Sequence, residues 1–324
     1  MPRLNMVEAI NLALRQEMLK DSAVIVCGED VAKNGGVFRV TQGLLDLFGE
    51  KRVFDTPLAE SGIVGSCFGM SCFGLKPVCE IQFEGFLAPA FDQIINNVAR
   101  IRNRSRGRFH AQMVIRSPYT GGIRALEHHS ESVEAFYAHI PGLKVVTPST
   151  PFAAKGLMVA AIRDPDPVLF LEPKRVYRAI KEEVSEEEYV IPLGKARVVK
   201  EGSDLTLISY GAMMRTCIEA AQEVSNRYSV EVIDLQTLSP LDKGAIISSV
   251  QKTGRVVIVN EAPRLCGFAA ELLAVVVEHC LYSLQASPVR VTGFDTVMPL
   301  ARLEQYYIPD MFRIVRAIKQ VMVQ

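Results

Sequence analysis

Apolar positions along the first half of the chain switch between two periods. Val7, Ile10, Leu14 and Met18 keep the three-to-four-residue spacing of a buried helix face. An apolar run, Ala23–Cys27, follows and ends in Gly28-Glu29-Asp30, the pattern of a strand covered on both sides. Short runs at Lys51–Phe54, Val78–Phe83, Met113–Arg116, Lys144–Thr147 and Val168–Glu172 predict further strands. Helical stretches at Pro89–Asn103, Ser132–His139 and Pro151–Arg163 separate the later ones. Gly62, Gly65 and Gly69, set among Ile63, Val64, Cys67, Phe68 and Met70, predict a slim helix that another element, on this or another chain, can approach closely. Alternation of this kind implies an α/β fold: a mainly parallel sheet with helices on both faces.

Residues 178–192 are charged and carry no apolar stripe, so they read as a linker between domains. Beyond Gly194 the alternation resumes. Strands are expected at Leu205–Tyr210, Val230–Leu235, Val256–Asn260 and Val289–Val291, with helices at Ala212–Arg227, Asp242–Thr253 and Phe268–Tyr282 and a last one from Pro309. A chain of 324 residues is long for one core. The expected division is residues 1–180, a linker at 181–195, and a second α/β domain at 196–324.

Charge narrows the function. Lys+Arg and Asp+Glu both number 36, so the net charge is zero and a nucleic-acid partner, which demands a basic surface, is not expected. The cluster Arg100, Arg102, Arg104, Arg106 and Arg108 fits a helix end or an interface. The 7 cysteines include no C-x-x-C pair and sit mostly in apolar runs, as buried thiols of a reducing compartment do. No apolar run approaches membrane-spanning length, and the first residues start a helix without a leader pattern, so a cytoplasmic protein is expected.

In open α/β sheets, ligands bind beyond the carboxyl ends of the strands. The polar clusters fall there: Glu29 and Asp30 after one strand, Glu60 after the next, Gln82 and Glu84 after a third. Neither a G-x-G-x-x-G turn nor a phosphate loop accompanies them, and Gly35-Gly36 and Gly121-Gly122 lack the strand–loop–helix context of a phosphate cradle. A dehydrogenase that binds a dinucleotide is therefore not supported.

Several segments, in order across the chain, resemble one family. They are Gly28-Glu29-Asp30-Val31, Gly35-Gly36-Val37-Phe38, Asp55-Thr56-Pro57-Leu58-Ala59-Glu60-Ser61-Gly62, Glu80–Phe83, His128-His129-Ser130, Pro141–Val146, Asp234–Leu238 and Glu261-Ala262-Pro263. The chain resembles the β subunit of a thiamine-diphosphate-dependent 2-oxoacid dehydrogenase. That resemblance implies a transketolase-like fold, a pyrimidine-binding domain followed by a transketolase C-terminal domain. It also implies an α subunit, in an α2β2 assembly with β–β contacts, that holds the cofactor's diphosphate and Mg2+ through a G-D-G motif. No G-D-G occurs in this sequence. A dihydrolipoyl acyltransferase core is the further implied partner, with the last helix of the chain at the docking surface.

By the same resemblance, Glu60 is the carboxyl group that bonds the cofactor's pyrimidine ring and drives its change of tautomer, a role that needs partial desolvation. Leu58, Gln82 and Phe86 map to the pyrimidine pocket, Phe86 standing where Tyr is usual, and Glu29 maps to a supporting acid. Of the two adjacent histidines, either of which could be an ordinary loop residue, His129 matches the one that faces the substrate. Met113 with Ala161, Ile162, Asp164 and Asp166 corresponds to a structural monovalent-cation (K+) site, Asp166 replacing a frequent Asn; an ordinary Asp-Pro turn is the other reading. Pro89–Gln93, Glu172-Pro173-Lys174 and Glu261–Pro263 resemble the branched-chain enzymes more than those for pyruvate or acetoin. The expected activity is thus decarboxylation of a branched-chain 2-oxoacid with acyl transfer to a lipoyl group. Pyruvate or acetoin dehydrogenase, or a silent assembly module, are the alternatives.

Overall fold

The computed structural model, which describes residues 1–323, turns the apolar runs into two mainly parallel sheets. The first has seven strands in the order Thr237–Ser239, Lys144–Val146, Val168–Pro173, Val114–Tyr119, Lys76–Glu80, Val24–Gly28 and Val53–Asp55. The second has five, in the order Val289–Val291, Val256–Val259, Leu205–Ser209, Val230–Asp234 and Arg197–Lys200. In each, one edge strand runs antiparallel: Thr237–Ser239 in the first and Arg197–Lys200 in the second.

Successive side chains of a strand point to opposite faces, so each central strand feeds two cores. Val26, Val78, Val114 and Phe170 pack on one side against the helices Met6–Lys20 and Pro151–Arg163. Cys27, Cys79, Ile115 and Leu171 face the other side. That core continues into the second sheet through Ile208, Ile233 and Ile258, and takes in Ile63, Ile246 and Leu272 from three helices between the sheets. The far face of the second sheet is closed by Met213–Glu223 and Met311–Met322. The two α/β units therefore share a middle layer of apolar packing.

Three expectations change. Thr237–Ser239, too short to register as a run, crosses from the second unit to pair with Lys144–Val146 of the first sheet. Pro89–Asn103 is not one α-helix: Gln93–Val98 winds as a π-helix and Ile101–Arg104 as a separate turn, because spacing that buries Ile94 and Val98 suits either winding. Residues 181–195 are strapped to the first unit. The Lys155 ammonium donates to the carbonyls of Ser185 and Glu187 at 2.5 and 2.7 Å, and Tyr189 stacks on Phe152 at 4.5 Å. Backbone carbonyls make this attachment, so it leaves no apolar stripe in the sequence. The last helix, Met311–Met322, buries Ile314, Val315, Ile318 and Val321 and leaves Phe312, Arg316 and Lys319 outward.

Candidate active site

Val24–Gly28, Val53–Asp55 and Lys76–Glu80 are parallel neighbours, so their carboxyl ends share one edge. The Asp55 carboxylate accepts the main-chain N–H groups of Ala32 and Lys33 at 2.7 and 3.3 Å, tying the loop after Glu29 to the turn before Glu60. Gln82 Nε2 donates to Asp30 Oδ2 at 3.0 Å and reaches the Glu29 carbonyl at 3.5 Å. Glu60 opens the helix Glu60–Cys72, where the positive end of the helix favours a carboxylate. It is 8% exposed, and among the described residues no hydrogen bond or ion pair engages its carboxylate. Glu29 lies close enough that burial first, and the Glu60 charge next, raise its pKa. Leu58, in the turn before Glu60, is 80% exposed. The structure thus brings Glu29, Glu60 and Gln82 to one edge and leaves Leu58 projecting from it.

Phe83 and Phe86 carry the site on to the histidines. Their ring centroids lie 4.0 and 5.1 Å from that of His129. Between them, a Cβ on Gly85 would stand 2.2 Å from the His128 carbonyl oxygen, so glycine alone permits this approach. His129 Nδ1 is buried and unpartnered, and burial, then the His128 and Lys174 charges, lower the ring's pKa and keep it neutral at pH 7. His128 is instead about half exposed, beside Glu127.

The sequence reading missed the ionic framework behind this edge. Arg116 Nε and Nη2 donate to the two Glu172 oxygens, both at 2.7 Å, and Nη1 donates to Glu80. The Tyr177 hydroxyl donates to Glu172 Oε2 at 2.5 Å. Arg116 and Glu172 are fully buried. A second buried pair joins Lys174 Nζ to Glu84 Oε2 at 2.6 Å, and Lys174 also lies 5.6 Å from the Phe83 ring centre. Burial pushes the Glu84 carboxyl up to about 7 against the pull of Lys174. Charges inside apolar strand runs were the available signal, since a buried charge requires a partner.

The expected cation donors have other partners. Asp164 holds Lys144 Nζ through both oxygens at 2.6 Å, and Asp166 pairs with Arg102 at 2.5 Å. The Ile162 carbonyl accepts Gln112 Nε2 at 3.1 Å and the Met113 carbonyl accepts the Val168 N–H at 3.1 Å. The chain's own ammonium and guanidinium groups neutralise these carboxylates.

Glu134 gives a pH prediction. Its carboxyl is fully buried, accepts the Tyr210 hydroxyl at 2.7 Å, and burial pushes its pKa up to about 7. A carboxyl whose folded pKa is raised contributes most to stability below its unfolded value and loses that contribution as pH climbs towards 7. Glu134→Gln removes the titration, so the variant should gain up to about 3 kcal/mol relative to wild type between pH 4.5 and 7. Urea unfolding of both proteins at pH 5 and pH 8 checks this; a difference that does not vary with pH would show a water-like environment for Glu134.

Comparison with known proteins agrees with this geometry. The transketolase pyrimidine-binding domain family matches residues 3–180 and the transketolase C-terminal domain family matches residues 194–314. The chain is 54% identical over 319 residues to the pyruvate dehydrogenase E1 component subunit beta of Acholeplasma laidlawii, covering 98% of each. It is 50% identical over 311 residues to the protein of that name from Bacillus subtilis, covering 96% of each. Among solved structures, a split-gene transketolase described as an inactive β4 tetramer superposes with a TM-score of 0.81 at 22% identity, over 99% of each chain. The transketolase of Leishmania mexicana does so with a TM-score of 0.71 at 15% identity, over all of this chain and 46% of that one. These two likenesses establish the fold as transketolase-like. The chain belongs to the E1 β subunits of the thiamine-diphosphate-dependent 2-oxoacid dehydrogenases.

Proposed function

We propose that this chain supplies the pyrimidine half of a thiamine-diphosphate site. With an α subunit holding the diphosphate and Mg2+, in an α2β2 assembly, it would decarboxylate pyruvate and pass the acyl group to a lipoyl group of an acyltransferase core. The observation that carries this reading is Glu60, 8% exposed, without a hydrogen bond or ion pair among the described residues, and close to Glu29 at the sheet edge. Such a group fits a ring nitrogen that must share a proton. Leu58, Gln82 and Phe86 would line the ring, and Glu29, whose pKa burial and the Glu60 charge raise, would stand beside Glu60 as a supporting acid. Thiamine diphosphate, if bound there, would supply a nucleophilic carbon for 2-oxoacid chemistry. His129, kept neutral by burial, would exchange a proton or hydrogen bond with the substrate. Exposed Leu58 and Phe73, at the two ends of the small-residue helix, suit close packing by the second chain.

Pyruvate is preferred to a branched-chain substrate for two reasons. The relatives above are named for pyruvate dehydrogenase. Two of the segments that suggested a branched-chain enzyme also have framework contacts: Glu172 holds Arg116, Lys174 holds Glu84, and Glu261 holds Gly121. They do not speak to acyl-chain length. Reconstitution with an α subunit, followed by kcat/KM for pyruvate and for 3-methyl-2-oxobutanoate, tests the reading. Pyruvate should lead by roughly 10-fold or more, the discrimination a pocket achieves against added methyl groups. A branched-chain preference would overturn the substrate, and an inactive assembly would leave a silent scaffold.

A further inference from the structure

The loop that leads from the strand Val114–Tyr119 to His129 is held from the other domain. Thr120, Gly122 and Arg124 have φ of 72°, 97° and 60°, an alternation that turns neighbouring main-chain N–H groups towards a common side. Two carboxylates meet them. Gly121 N–H donates to Glu261 Oε1 at 2.8 Å, Gly122 N–H to Glu304 Oε1 at 2.7 Å, and Arg124 N–H to Glu304 Oε2 at 3.1 Å. Glu261 and Glu304 are each 5% exposed, and Arg175 neutralises Glu261 Oε2 at 2.9 Å. The fit is tight: a Cβ on Gly121 would lie 2.3 Å from Met298 Cε, and one on Gly122 2.5 Å from Arg175 Cδ. At its far end the loop closes on itself through Thr120 N–H to Glu131 O at 3.1 Å, and His129 N–H bonds Leu126 O at 3.0 Å.

We propose that Glu304 and Glu261 are positioning residues for His129, clamping loop 120–131 from the second domain so that the imidazole stays between Phe83 and Phe86. Three charge-assisted bonds to main chain fix the loop's outer arm, and the aromatic pair fixes the ring. Neither carboxylate touches the reacting groups. The clamp also makes the shared core between the two units matter for catalysis, since any shift between them moves the loop. The catalytic part of this inference rests on the role proposed for His129; the clamp itself does not.

Two measurements on the assembled enzyme separate these parts. Glu304→Ala should raise amide hydrogen exchange across residues 120–131 by roughly 10-fold or more, as expected when a loop loses its anchoring bonds. It should lower kcat by about 10–100-fold with KM for the oxoacid unchanged, the scale of effect of a displaced catalytic group. Glu304→Gln, which keeps one acceptor oxygen but turns an amide group towards Arg124, should fall between wild type and Ala in both readouts. Unchanged exchange in 120–131 overturns the clamp. Raised exchange with unchanged kcat overturns the positioning role. An unaltered kcat in His129→Ala overturns the reading of His129 instead, while the exchange result still reports on the clamp. Should Glu304→Ala fail to assemble, Glu304→Gln and Glu261→Gln carry the same comparison.

Discussion

Glu60→Gln is expected to lower kcat of the assembled enzyme by about 10²–10⁴, the usual loss when one general acid–base group is removed. That corresponds to roughly 3–5 kcal/mol of barrier. The swap keeps the size of the side chain and a hydrogen-bonding group, and removes only the proton that the cofactor's ring needs to share. Because the Glu60 carboxylate engages no partner among the described residues, folding and assembly should survive, with little movement of the thermal midpoint. A Glu60 serving only as a helix-end charge would instead cost about 1 kcal/mol or less of stability, with activity retained. Exchange of the cofactor's reactive proton, followed in the assembled variant, separates the two. Wild-type exchange rates in Glu60→Gln would remove it from the chemistry.

Arg116→Met should destabilise the fold by about 3–5 kcal/mol, because it strands buried carboxylates rather than merely deleting a contact. Glu80 and Glu172 are 2% and 0% exposed, and the guanidinium joins them. Out of a typical total of about 5–15 kcal/mol, such a loss threatens folding at growth temperature. The urea midpoint gives the measurement. Since the cost comes from orphaned charge, adding Glu172→Gln to Arg116→Met should recover part of it. A single variant within about 1 kcal/mol of wild type, with no response to the second change, would mean that these charges are solvated in the working protein.

The sequence by itself determined most of the local structure and where the candidate site residues gather. Period-2 and period-3.6 burial is a property of adjacent residues, so the alternation of strands and helices, the slim helix after Glu60 and the gathering of Glu29, Glu60 and Gln82 at strand ends could all be read along the chain. No phosphate-binding loop accompanies those carboxylates in the sequence. The tertiary structure decided who answers each buried charge. Arg116 meets Glu172 across neighbouring strands, Lys144 and Arg102 answer the aspartates where a K+ was expected, and Glu304 caps Gly122 across 182 residues. It also carried Thr237–Ser239 into the other unit's sheet. Periodicity records which side chain is covered but not by what. The partner of a buried charge depends on which strands become neighbours, and that is set by packing of the whole chain.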